Sequence, residues 1–104
     1  MARGLGYREL YAYAVLGCGE LAAARDDPER AARLLAAGGA LFAELAIEPG
    51  PEEQAGMTRA LEAVAASLDP AVRDELEREG RSLGADAAIA EAVEVAGLAA
   101  TGAA

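Results

Sequence analysis

Apolar positions recur at helical spacing from near the start of the chain almost to its end. Tyr7, Leu10, Tyr11, Ala14, Cys18 and Leu21 fall three and four apart, the spacing that lines one face of an α-helix. The run breaks at Arg25-Asp26-Asp27-Pro28-Glu29-Arg30. There Asp27 is placed to cap a second helix, with Pro28 at its first position and Glu29 in its first turn. The second helix carries Ala31, Leu34, Leu35, Gly38, Leu41, Phe42 and Leu45 on one side. It ends where Pro49 and Pro51 around Gly50 force a loop.

Pro51, Glu52 and Glu53 read as a third N-terminus, with acids favourably placed at the helix dipole. Met57, Leu61, Val64 and Leu68 continue it as a stripe. Asp69 and Pro70 repeat the cap-and-proline device for a fourth helix, with Val72 and Leu76 on its apolar side and a stop expected at Gly80. A fifth helix is predicted from about Ala85 to Ala96, with Ala85, Ile89, Ala92 and Ala96 on one face and Val93 beside them. No stretch alternates as a strand does. The reading is an all-α domain of about five helices over residues 1–97, a helical hairpin followed by three capping helices. Residues 98–104 have little to bury and are expected to form a flexible C-terminal tail.

One short stretch within the first helix invites a different reading. Gly17-Cys18-Gly19-Glu20-Leu21-Ala22 spells the G-x-G-x-x-A of a dinucleotide-binding turn. Such a turn needs a strand before it and an acid at a second strand end about 20 residues later. Here the preceding residues continue a helix, and about 20 positions on lies Ala36-Ala37-Gly38-Gly39-Ala40. The glycines are better read as close-packing positions, because glycine costs about 1 kcal/mol against alanine inside a helix. In an antiparallel hairpin Gly17-Gly19 and Gly38-Gly39 would face each other near the middle. Cys18 lies mid-helix beside Glu20, without the cation or helix N-terminus that activates a thiol. It reads as a small apolar residue.

Composition narrows the function classes. The 104 residues carry nine basic side chains, all arginine, against eighteen acids, for a net charge of −9 and no histidine. Nucleic acids and anionic membranes attract clustered Lys and Arg, so neither is expected as a partner. A single cysteine excludes an internal disulfide and suits a reducing, cytoplasmic setting. Without histidine the commonest general base and metal ligand is missing, and no phosphate-cradling loop is spelled. The expectation is therefore a protein that is not an enzyme, with no cofactor and no bound metal. The pairs Arg73–Glu77, Asp74–Arg78 and Glu77–Arg81 are read as a solvated helix face. Alanine is the commonest residue, which predicts closely spaced helices around a thin core.

Three of the four aromatic residues, Tyr7, Tyr11 and Tyr13, stand in the first helix. Tyrosine supplies large contact area at low entropic cost. Tyr7, Arg8 and Tyr11 are therefore nominated as an interaction face.

Three segments carry a family resemblance: Asp27-Pro28-Glu29-Arg30-Ala31-Ala32-Arg33-Leu34, the loop Glu48 to Glu53, and Glu79-Gly80-Arg81-Ser82-Leu83. Together they resemble the C-terminal tetratricopeptide-like helical module of large bacterial LuxR-type transcription regulators and related signalling ATPases and cyclases. The resemblance spans roughly Leu10 to Ala96. It departs at Asp26, where a helix-ending glycine is usual, and at Gly38-Gly39, where long or charged residues are common. In those regulators the ATPase and DNA-binding chemistry lies in other domains. The resemblance thus implies a protein-interaction or effector-sensing role beside neighbouring domains of a larger regulator. A small-molecule receptor lined by Tyr7, Arg8 and Tyr11, or a module that forms homodimers, are the alternatives.

Overall fold

The computed structural model describes residues 2–102, with side-chain surroundings for residues 8–97. Five helices follow one another: α1 (Ala2–Ala24), α2 (Pro28–Leu45), α3 (Pro51–Ser67), α4 (Pro70–Ser82) and α5 (Gly84–Gly102). No strand occurs among the described residues. Pro28, Pro51 and Pro70 each open a helix, where the missing N–H costs nothing and the fixed φ is already helical. Asp27 caps α2 through Oδ1, which accepts the Arg30 N–H at 3.3 Å. Asp69 takes the corresponding place before α4, but its side chain makes no cap bond. Its carbonyl accepts the Arg73 N–H instead.

The ends of α1 and α2 share one device. Asp26 and Ala46 adopt left-handed backbone, with φ of 64° and 57°. In each case two successive N–H groups turn back onto the helix. Asp26 and Asp27 bond the carbonyls of Ala23 and Ala22, and Ala46 and Ile47 bond those of Ala43 and Phe42. This double closure usually ends in glycine. Aspartate tolerates the conformation better than alanine does.

Helix α2 touches each of the other four helices, whereas α3 and α4 barely meet. It buries Ala31, Ala32, Leu34, Leu35, Ala37, Gly38, Leu41 and Phe42, close to the expected side. Against it, α1 runs antiparallel. A Cβ built on Gly19 would stand 3.0 Å from the Leu35 backbone nitrogen, and one on Gly38 would stand 3.2 Å from the Leu16 Cα. Gly17 and Gly39 meet nothing within 4 Å, so one glycine of each pair makes the close approach.

Three expectations need correcting. Helix α1 buries Ala12, Val15, Leu16, Gly19 and Ala22; of the expected stripe, Cys18 and Leu21 pack half-buried against the core, whereas Leu10, Tyr11 and Ala14 are exposed. Nearly every residue from Leu10 to Cys18 is apolar, so periodicity cannot choose the face, and close approach to α2 chooses it. Gly80 does not stop α4, which continues to Ser82. A Cβ on Gly80 would overlap the Arg33 carbonyl oxygen and come within 3.0 Å of its Cα. Glycine there lets α4 lie directly on the backbone of α2. Helix α5 packs the expected Ala85, Ile89 and Ala92 against the core, but it also buries Ala88 and Val95 and leaves Val93 and Ala96 exposed. Its backbone stays helical to Gly102, beyond the Ala96 expected.

Two substitutions test these backbone arguments by urea denaturation. Ala46→Gly relieves the left-handed strain and is expected to stabilise the chain by about 1 kcal/mol. Gly80→Ala forces α4 off α2 and is expected to cost about 3 kcal/mol. If Gly80→Ala leaves the unfolding midpoint unchanged, α4 is not seated on Arg33.

Candidate functional site

Of the nominated face, Arg8 and Tyr11 come together, one turn apart on α1. The side chain of Tyr7 lies outside the described residues. With Leu41, Glu44, Leu45 and Ala85, Arg8 and Tyr11 line a cleft where α1, α2 and the start of α5 meet. Its open space is about 20 Å³, room for about one water. That shape suits a docking face better than an enclosed ligand pocket. Arg8 Nη1 stands 3.9 Å from Glu44 Oε1, with both side chains mostly exposed. Such a pair contributes little to stability and leaves the guanidinium available. Leu10, on a different side of α1 from Arg8, is 65% exposed.

Successive residues are rotated by about 100° on a helix, so Tyr11 and Tyr13 stand on opposite flanks of α1. Tyr13 rests edge-to-face on the buried Phe42, with ring centroids 4.9 Å apart and planes at 89°. Beyond Tyr13 a groove runs along the seam between α1 and α3. One section, about 260 Å³, is lined by Tyr13, Leu16, Gly17, Glu20, Glu52 and Glu53. The next, about 280 Å³, shares Glu20 and continues over Ala23, Gly56 and Ala60 to Arg59 and Ala63. The Glu20 carboxylate lies over Gly56, where a Cβ would come within 2.7 Å of Oε1. Sequence reasoning missed this groove. Gly17 and Gly56 were its signal, helix-interior glycines 39 positions apart.

Charged side chains converge at a third place, between α2 and α5. Arg33 Nη2 donates to Glu91 Oε2 at 2.6 Å, and Arg33 Nε donates to the two oxygens of Glu91 at 3.1 and 3.3 Å. Arg30 Nε lies 3.5 Å from the same carboxylate, and its Nη2 donates to Glu94 Oε1 at 3.2 Å. Hydrogen bonding to Glu91 raises the pKa of Arg33 and outweighs the opposing effect of burial. Glu91 is 15% exposed, so this pair is largely taken out of water. Arg30 Nη1 is buried without a partner. The cluster already satisfies its main anion with two arginines, so its chemistry is that of a clasp. By contrast, none of the three i, i+4 pairs expected on α4 closes to ion-pair distance. Exposed arginines gain too little by pairing to be held.

Cys18 is half-buried against the core, and burial raises its thiol pKa. Among the described residues no three acidic or cysteine side chains converge as cation ligands do. No helix there is long and apolar enough to cross a membrane. Compared with protein-family models, curated proteins and solved structures, the chain matches none of them.

Two measurements bear on these sites. Glu91→Gln strands both arginines and is expected to lower unfolding free energy by about 2 kcal/mol, with Arg33→Met recovering part of the loss in a double-mutant cycle. Additive losses would show that the clasp carries no coupling. The raised pKa leaves Cys18 less thiolate at any given pH than a free thiol. Iodoacetamide is therefore expected to label it more slowly than glutathione at pH 8, the gap narrowing as pH rises. Faster labelling would mark an activated thiol.

Proposed function

We propose that the chain is a non-enzymatic helical module for protein interaction or effector sensing, acting in the cytoplasm within or beside a transcription or signalling regulator. The observation that carries this reading is the α1 surface of Arg8 and Tyr11. A partly exposed tyrosine sits one turn from a weakly paired, exposed arginine, on a scaffold fixed by α2. Aromatic and arginine side chains presented together are the usual anchors of protein interfaces. The polar cluster of Arg30, Arg33 and Glu91 is occupied in holding α5.

The resemblance of Asp27–Leu34 and Glu79–Leu83 to a tetratricopeptide-like module supports the regulator context. An antiparallel hairpin cannot bury its own apolar faces, and α3, α4 and α5 supply what a neighbouring repeat would. The partner is then a neighbouring domain of the regulator or a separate protein. The small volume beside Tyr11 weighs against a small-molecule receptor at that face.

Site-specific photocrosslinking tests the reading in cells. A benzophenone amino acid at position 11 is expected to give a discrete protein adduct, identified by mass spectrometry, that the same probe at the exposed Ala65 does not give. Equal patterns at both positions would sink the interaction face. Nucleotide turnover by the purified chain, abolished by a point substitution, would sink the non-enzymatic part.

A further inference from the structure

The groove between α1 and α3 has a polarity that selects its occupant. Three carboxylates, Glu20, Glu52 and Glu53, line the section beside Tyr13, and Arg59 stands at the opposite end. None of the three acids is ion-paired among the described residues. Glu52 and Glu53 occupy the first turn of α3, where the helix dipole offers about half a positive charge. That offset leaves most of the negative charge uncompensated, on a chain already at −9.

Gly17 stands on the outward rim of the same section: it is exposed, and a Cβ built there, as on Gly39, would meet no neighbouring helix within 4 Å. Lacking a Cβ, it leaves room for an incoming backbone to approach α1 closely beside the three carboxylates.

Resting on the interaction reading above, we infer that this groove receives a cationic amphipathic helix of a protein partner. Its Arg or Lys side chains meet Glu20, Glu52 and Glu53, and its small apolar side packs on Gly17 and against Tyr13. The basic end lies toward the N-terminus of α3, away from Arg59. A second copy of this chain fits poorly, because its surface carries the same acidic excess.

Fluorescence anisotropy with the intact chain tests this directly. The probe is a labelled Ala/Leu/Arg amphipathic helix of about five turns. Controls are the same peptide with Glu in place of Arg, and an oligo-arginine of equal charge. The amphipathic basic peptide is expected to bind, and both controls to bind at least about tenfold more weakly. Gly17→Leu crowds the rim where the partner backbone approaches and is expected to weaken binding about tenfold, as is the paired change Glu52→Gln with Glu53→Gln. Asp74→Asn with Glu75→Gln removes the same charge from α4 and is expected to leave binding unchanged.

Ala63→Leu, at an exposed position further along the groove, serves if circular dichroism shows that Gly17→Leu disturbs the fold. Unchanged affinity in a folded groove-filling variant overturns the proposal. So do equal losses from the two acid-neutralising pairs, or oligo-arginine binding as tightly as the amphipathic helix, which would reduce the effect to net charge. An adduct at position 11 with no peptide binding in the groove would leave the interaction reading standing and remove this occupant alone.

Discussion

An alanine brings one methyl group to a core, so helices lined with alanine exclude water only when their backbones nearly touch. Among the described residues, Ala12, Ala22, Ala31, Ala32, Ala37, Ala60, Ala88 and Ala92 make up half of the buried apolar side chains, and the largest fully buried ones are Leu16, Leu34, Val15 and Val64. Close packing of this kind needs positions without a Cβ at the crossings. Gly19 and Gly38 provide them between α1 and α2, and Gly80 provides one between α4 and α2. The glycines cost helix propensity, and dispersion attraction along a whole seam offsets it. Helix α2 is central because it carries the larger side chains, Leu34, Leu35, Leu41 and Phe42, over which thinner helices settle.

The same thinness explains the clasp. Helix α5 buries Ala88, Ala92 and Val95 and packs Ala85 and Ile89 half-buried against the core, mostly small side chains with limited apolar area. Arg33 gripping Glu91 through two nitrogens, with Arg30 bridging Glu91 and Glu94, sets how far α5 slides along α2. Such a cluster adds less stability than specificity, since the charges lose hydration on burial and Arg30 Nη1 finds no partner in exchange. It also removes two of the nine arginines from the surface field. Glu91 and Glu94 are taken up with them, so the surface keeps the acidic balance of the whole chain, to which a cationic partner is the electrostatic complement.

Helix number and most boundaries were legible because local chemistry writes them. Pro28, Pro51 and Pro70 mark N-termini through a fixed φ, and Asp27 adds a side-chain acceptor. The ends of α1 and α2 were harder, because Asp26 and Ala46 occupy places where glycine is the usual sign. Gly80 misled for the opposite reason. Its spelling suits a helix stop, while its use depends on Arg33, 47 residues away in sequence. The α2–α5 clasp was illegible on the same ground, since its partners are 58 and 64 residues apart. That Arg8 and Tyr11 lie together was legible, because they are one helical turn apart. The α1–α3 groove was missed because it belongs to neither helix.

The failure of periodicity on α1 has a physical content of its own. A helix with one buried face shows one apolar stripe, and a helix apolar all round is ordinarily buried all round. Helix α1 is neither: α2 covers Ala12, Val15 and Leu16, α3 and α5 flank it, and Leu10 and Ala14 face outward. Three neighbours account for the apolar residues on three sides. The fourth side, with Leu10 65% exposed, has no neighbour within the described chain to account for it. An outward row of this kind adds nothing to the isolated fold. Exposed Leu10 and Gly17 share this outward side of α1, and its apolar character comes from residues that no other helix buries among the described residues.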